Sequence, residues 1–304
     1  MTKIIDDRGA DRRLDEEIVA GVVGDQFPEL AGDHVERLGR GWDNEVFVVG
    51  DVIFRFPKRV GQVAWQRREI VVVRLVGQAL GSIVPSFAYV GRPSERFAYP
   101  FVGYPKLPGI PAGRPGVPLG PFAADMASAL AALHAIDSSL IPPTPAAEES
   151  AVAGGHRLDL SSCADQVRRQ LRPDLVAVAE PYLTGQAPCP SFDGPGRLAH
   201  NDICAEHVLG DPGTGRLHGL IDWTDAMVTD PAVDFVGLIT IGGWPFIGDV
   251  LNRYPHRLDS SFDARLQWMV RTLALRWLGD AIEEGDSLLG RQLACVDRAF
   301  EQRR

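Results

Sequence analysis

The 304-residue chain reads as an α+β protein in two lobes: an antiparallel sheet with one helix, then a larger helical part. Three observations carry this reading. At roughly 150 residues per domain, the length suggests about two domains or lobes. Residues 35–57 hold three short apolar runs separated by Gly-containing turns, the pattern of consecutive strands. Residues 103–121 (GYPKLPGIPAGRPGVPLGP) are dense in Pro and Gly, and beyond them apolar residues recur at helical spacing.

Composition narrows the function classes. With 45% hydrophobic and 23% charged residues the chain is of ordinary globular make-up, which excludes disorder over most of its length. A net charge of −9 argues against bulk nucleic-acid binding and suits a small cationic partner. The four cysteines (Cys163, Cys189, Cys204, Cys295) form no CxxC pair, so neither a zinc ribbon nor a dense disulfide framework is expected. The N-terminal segment is polar, with no apolar signal core. The longest apolar run, Phe235 to Ile247, is too short and too Gly-rich to span a bilayer. The expectation is a soluble protein of the reducing cytoplasm, with no membrane partner; oligomeric state is not readable.

In chain order, residues 13–24 have helical apolar spacing and end at Gly24. The segment VERLGRGWDNEVFVVGDVIFRFPKR reads as strand, Gly turn, strand, tight Gly50-Asp51 turn, strand, with Pro57 ending the last. Residues 62–80 predict a helix closed by Gly81. Two more strands are expected near 87–91 and 97–102. The domain reading is an N-lobe at 1–103, a hinge or linker at 104–121 and a helical C-lobe at 122–304. Within the latter, helices are expected at 122–136, at 161–183 (one or two) and over most of 262–302. Loops are expected at 140–157 and 185–196, and a loop flanked by short strands at 197–223.

The chemistry concentrates in His200-Asn201-Asp202-Ile203-Cys204-Ala205-Glu206-His207 and, after a further strand, Ile221-Asp222-Trp223. Phosphoryl transfer needs one carboxylate to orient the attacking hydroxyl, a second to hold Mg²⁺ against the nucleotide phosphates, and a further metal ligand. Asp202 is followed five residues later by His207 and twenty residues later by Asp222, and a hairpin between them would gather all three. This is the kinase order H-x-D-x-x-x-x-N then D-F-G, with His for Asn and Trp for Phe. The bland alternative is a capping Asp and a structural His in a loop.

These segments, together with GRGWDNEVF, IFRFPKR, the Glu69 helix, FVGYPKLPGIP and GLIDWTDAMVTDPAVDF, resemble the aminoglycoside phosphotransferase family of small-molecule kinases. Within it the resemblance is strongest to enzymes acting on the 2''-hydroxyl, with the macrolide 2'-phosphotransferases as a sister group. The resemblance covers about Leu38 to Tyr254. It implies a protein-kinase-like fold, Mg²⁺, and ATP or GTP as donor. It makes Asp202 the catalytic base, supported by His200, and His207 and Asp222 the Mg²⁺ ligands. Asn201, Glu206 and Asp225 would lie near substrate, and Asp230 and Asp234 of the DPxxDF segment would cap and brace the following helix.

On the nucleotide side the family places a lysine in the third strand, paired with a glutamate of the next helix. Lysine occurs here only at Lys3, Lys58 and Lys106, and the aligned position is Arg55. Strand alternation favours Arg55 over Lys58 as the phosphate cation, with Glu69 as its partner. Gly39 and Gly41 flank a turn whose amides would approach phosphates. Pro105 has no N–H, so a hinge donor to the base would come from Lys106 or Leu107.

The acceptor expected from the resemblance is an aminoglycoside, a polycation that suits the charge. The run Ile239-Thr240-Ile241-Gly242-Gly243-Trp244-Pro245-Phe246 stands where related enzymes carry further acids. It is either the end of a core helix or an apolar wall suited to a macrolide. A metabolite kinase and a non-catalytic binding protein on a kinase fold are the remaining alternatives.

Overall fold

The computed structural model describes residues 14–40, 43–114, 116–145, 152–153, 156–157, 159–285 and 288–301. The chain divides into two compact units: residues up to Gln78 together with Val84–Leu107, and Ala79–Ile83 together with Pro108–Arg304.

The first unit opens with α1 (Glu16–Gln26), whose first turn is capped by the Asp15 carboxylate accepting from the Ile18 N–H. The helix therefore starts at the cap and runs two residues past Gly24. Next come β1 (Val35–Arg40), β2 (Asn44–Val49) and β3 (Val52–Pro57), then α2 (Gln62–Leu80), β4 (Tyr89–Gly91) and β5 (Phe101–Pro105). Gly81 takes φ +67° immediately after α2, a conformation that closes a helix cheaply only with glycine. The five strands form one antiparallel sheet in the order β1-β2-β3-β5-β4.

Alternation along β3 sets up this unit. Phe54 and Phe56 join Phe47, Phe97 and Phe101 in a core packed with Val19, Val22 and Val23 of α1. Arg55 stands between them in sequence, so its side chain leaves by the opposite face, where it meets α2. The fifth strand was expected at 97–102 but starts at Phe101. The reason is the aromatic core: Phe97 packs edge-on against Phe56, at 5.3 Å between centroids, from a loop and not from a strand.

The second unit contains β6 (Ile110–Pro111), α3 (Leu119–His134), β7 (Val152–Ala153), β8 (His156–Arg157), α4 (Ala164–Gln170) and α5 (Pro173–Leu183). Then follow β9 (Arg197–Ala199), β10 (Val208–Gly210), β11 (Leu217–Leu220), β12 (Met227–Thr229), α6 (Val233–Val236), α7 (Ile239–Leu251), α8 (Phe262–Glu284) and α9 (Leu289–Phe300). The predicted loop at 140–157 thus holds a small two-stranded pairing, β7 with β8. The strands that matter for chemistry are two pairs: β10 with β11, and β9 with β12, both antiparallel.

Helix α7 resolves the apolar run at 239–246. Ile239, Ile241, Trp244 and Phe246 are buried, and Phe246 stacks on Phe122 of α3 at 6.0 Å. Non-helical backbone at Gly242 and Gly243 kinks the helix and lets Trp244 Nε1 donate to the Ala299 carbonyl. The run is core, as the simpler reading had it. Among the described residues no helix is long and apolar enough to cross a membrane.

Candidate active site

The loop between β9 and β10 carries Asp202, and the hairpin β10–β11 returns the chain to Asp222. Pairing of Val208 with Leu220 sets that return, and the Ile221 N–H donates to the His207 carbonyl at 2.9 Å. The sequence spacing of Asp202, His207 and Asp222 thereby becomes one cluster. His207 Nδ1 lies 2.9 Å from the Asp202 carbonyl oxygen and 3.1 Å from Asp202 Oδ2, while Nε2 lies 3.9 Å from Asp222 Oδ2. All three side chains are partly exposed.

Asn201 and Asp222 have left-handed backbones, with φ of +67° and +64°; they are the non-glycine residues of the described chain that do. Asn and Asp tolerate this region better than other side chains, and such conformations cluster where a fold holds functional groups.

The loop is held from beneath by Asp234. Its Oδ2 accepts from the His200 N–H at 3.0 Å and its Oδ1 from the Asn201 N–H at 2.8 Å. His134 of α3 donates from Nε2 to the same Asp234 Oδ2 at 2.9 Å, and its Nδ1 accepts from the Tyr254 hydroxyl at 2.6 Å. Burial pushes the Tyr254 phenol up, which keeps it a donor. Asp234 was expected to brace the next helix; instead it bonds back to the loop, because its carboxylate is fully buried facing two backbone N–H groups. Asp230 closes the turn before α6 without capping it, accepting from the N–H of the N-cap residue Ala232 at 3.0 Å, and also accepts from buried Arg265 at 2.7 Å.

His200 is fully buried and is a positioning residue. Its Nε2 donates to the Ile221 carbonyl at 3.0 Å, its Nδ1 accepts from the Asp202 N–H at 3.3 Å, and its ring lies 4.4 Å from that of Trp223. Burial holds it below its ordinary value, against the pull of Asp234 and Asp202, which fits that neutral tautomer. Below the loop runs Gly237. A Cβ there would lie 1.4 Å from the Ile203 carbonyl oxygen, so only glycine permits the approach. Thr240 Oγ1 then accepts from the Ala205 N–H at 2.9 Å.

The remaining expected residues separate. Asn201, expected near substrate, is buried; its Nδ2 donates to the Asp225 carbonyl at 3.1 Å, and its Oδ1 has no partner. Its left-handed backbone serves the turn. Glu206 is exposed and forms an ion pair with Arg291 of α9, which neutralises it as a lone acid. Asp225 is half-buried. In the first unit Arg55 and Glu69 form a buried ion pair, and Gln66 Nε2 donates to the Arg55 carbonyl at 3.3 Å. Lys58 is buried as well. Gly39 lies in β1 beside a bulge, while Gly41 lies outside the described residues. The Lys106 N–H is already taken by the Asp51 carbonyl at 2.8 Å. That corrects the hinge expectation and leaves Leu107 as the candidate donor.

Of the donors at His207 and Asp222, the carboxylate suits a hard divalent cation and the imidazole is a borderline nitrogen ligand. Nδ1 is engaged with the Asp202 carbonyl, which turns Nε2 toward Asp222. Thr224 Oγ1 donates to Asp222 Oδ1 at 3.1 Å, orienting the carboxylate. Burial opposes a charged His207, but Cys204 and Asp202 outweigh it and hold the imidazole well above its ordinary value. Sequence reasoning missed His134, Tyr254, Gly237 and Thr240. The motif gave no signal for them, since each acts from another element.

The chain matches the model of the APH family, described as phosphotransferase enzymes, over residues 34–268. It belongs to that family. The resemblance read from the catalytic loop and the IDW segment is borne out, as is the fold of an antiparallel sheet unit followed by a mainly helical unit. Among solved structures it is similar to the GDP complex of wild-type aminoglycoside 2'-phosphotransferase-IIIa (TM-score 0.70, 24% identity, 94% of this chain and 98% of that one). It is also similar to the GDP and kanamycin complex of APH(2")-IIIa (TM-score 0.67, 22% identity, 92% and 97%). A third is a macrolide 2'-phosphotransferase type I (TM-score 0.59, 23% identity, 94% and 97%). At these identities the likeness is one of fold. A curated relative, the uncharacterized protein YcbJ of Bacillus subtilis strain 168, is 52% identical over 46 residues, 15% of either chain.

Proposed function

We propose that this phosphotransferase moves the γ-phosphate of ATP or GTP to a hydroxyl of an aminoglycoside, with the 2''-hydroxyl as the position the resemblance indicates. The observation that supports it is the cluster of Asp202, His207 and Asp222 on a loop fixed by Asp234. Asp202 orients the acceptor hydroxyl and takes its proton as the phosphoryl group transfers in line. His207 Nε2 and Asp222 would hold Mg²⁺, which would neutralise phosphate charge. Arg55, fixed by Glu69, binds nucleotide phosphates as a cation that cannot lose its charge. Gly39 and the Leu107 N–H would complete the nucleotide contacts, Gly41 being outside the described residues, and Asp225 would lie near the acceptor. The net charge of −9 supports a polycationic acceptor. The macrolide reading loses one of its arguments, because the 239–246 run packs in the core; Arg55 in the third strand and the Ile221-Asp222-Trp223 motif, which the macrolide enzymes share, still fit it. A cytoplasmic location, without nucleic-acid or membrane partners, completes the reading.

The test is nucleoside-diphosphate release with Mg²⁺ and either ATP or GTP, against a panel of aminoglycosides and macrolides. Release dependent on aminoglycosides is expected. Release dependent on macrolides alone would overturn the acceptor assignment, and none with either class would transfer the reading to a metabolite kinase or a binding protein.

A further inference from the structure

We propose that the catalytic loop carries a second cation site, for a thiolate-binding divalent ion of the zinc class, built from Asp202, Cys204 and Nδ1 of His207. The three donor atoms all lie within 4.8 Å of one another. They offer one oxygen, one sulfur and one nitrogen, a donor set that Zn²⁺ takes at about 2.0–2.3 Å per bond. Tetrahedral bonds of those lengths put neighbouring donors roughly 3.3–3.6 Å apart. Asp202 Oδ2 and His207 Nδ1 already stand at 3.1 Å, so small side-chain rotations close the triangle. All three donors are partly exposed, which leaves the fourth position to water.

The backbone of the site is held in place, and the ion would take Nδ1 over from its bond to the Asp202 carbonyl. The ligands come from one six-residue turn held by Thr240 at Ala205 and by the close approach of Gly237 to Ile203, with Asp234 fixing His200 and Asn201 just before it. The site is also distinct from the proposed Mg²⁺ site, because the two use opposite nitrogens of one ring. Mg²⁺ at Nε2 leaves the proton on Nδ1, donated to the Asp202 carbonyl. Zinc at Nδ1 requires the proton on Nε2, facing Asp222 Oδ2, which is the carboxylate–histidine–zinc arrangement. The bound ion displaces the thiol proton to solvent. Mg²⁺ prefers oxygen ligands and competes poorly for the sulfur. Zinc occupancy therefore removes Asp202 and His207 together, and the ion is an inhibitor. The inhibitory consequence rests on the proposed role of Asp202; the site itself does not.

The test uses the full-length, metal-free protein with Co²⁺ as a spectroscopic stand-in, then Zn²⁺ against a chromophoric chelator in excess Mg²⁺. The parent is expected to show a thiolate-to-cobalt charge-transfer band and to bind one Zn²⁺. Cys204→Ser should lose the band and weaken Zn²⁺ by at least about tenfold, whereas Cys189→Ser, changing the exposed thiol, should keep both. Measured against each protein's own zinc-free rate, zinc inhibition should be lost in Cys204→Ser. No band in the parent, or a band that survives Cys204→Ser, overturns the site. Equal zinc inhibition of parent and Cys204→Ser overturns its role as inhibitor. Because the cobalt band needs no turnover, it reports on the site even if the acceptor assignment fails.

Discussion

Each unit buries a carboxylate, and the two are satisfied in different ways. Glu69 meets a side-chain cation, Arg55, in a buried ion pair. Asp234 meets two backbone N–H groups and a histidine. The first arrangement fixes a charge on a strand; the second fixes the shape of a loop. An ion pair can be swapped for apolar side chains of similar volume at little cost. Backbone N–H groups cannot be swapped, so Asp234 has no apolar replacement.

The largest expected effect follows from that contrast. Asp234→Ala strands His134 and two buried N–H groups, each worth about 1–3 kcal/mol, so chemical denaturation should show a loss of about 4 kcal/mol. A loss under about 1 kcal/mol would show that the loop does not depend on this carboxylate. Arg55→Ala takes the guanidinium away from buried Glu69 and should cost about 3 kcal/mol. The double change Arg55→Met with Glu69→Leu should recover most of that stability while nucleotide binding stays lost. Recovery of nucleotide affinity as well would remove Arg55 from the phosphate site. Asp202→Ala touches neither bracing system. It should keep nucleotide affinity while turnover falls at least about a hundredfold, near 2.7 kcal/mol of barrier; retained turnover would exclude Asp202 as the base.

The smallest effect is at Asp259, which accepts from Arg265 Nη1 at 2.7 Å and Nη2 at 2.9 Å. The Arg265 guanidinium holds this half-exposed carboxyl far below its usual range, against a small opposing effect of burial. A depressed folded-state value stabilises the fold above the unfolded carboxylate value of about 3.9 and is lost as pH falls below it. Asp259→Asn should thus be less stable than the parent at neutral pH, and the difference should shrink in acid. A constant difference from pH 7 to pH 3 would contradict this.

The sequence made much of this legible, for physical reasons. Period-2 alternation in β3 singled out Arg55 over Lys58 as the partner of Glu69, and Gly81 marked the end of α2 to the residue. The Asp202, His207 and Asp222 cluster followed from a spacing that a hairpin closes. What stayed hidden depends on contacts distant in sequence. Asp234 reads locally as a helix cap, and only the packing of α3 against the loop reveals it as an anchor. His134 lies 100 residues from Asp234. Glu206 reads as an acid near substrate until Arg291, 85 residues away, arrives beside it. The start of β5 was misplaced because Phe97 and Tyr99 have strand-like composition while serving the aromatic core from a loop.

The left-handed backbones at Asn201 and Asp222 bear on mutational drift. At such positions β-branched and bulky replacements strain the chain, and the residues that fit without strain are chiefly Gly, Asn and Asp. Asp and Asn codons differ by one base. The easiest neutral step for the backbone at Asp222 is therefore Asn, which preserves the turn and discards the charge proposed to hold the metal. On the role proposed for Asp222, a descendant that keeps this turn and loses turnover lies a single nucleotide away.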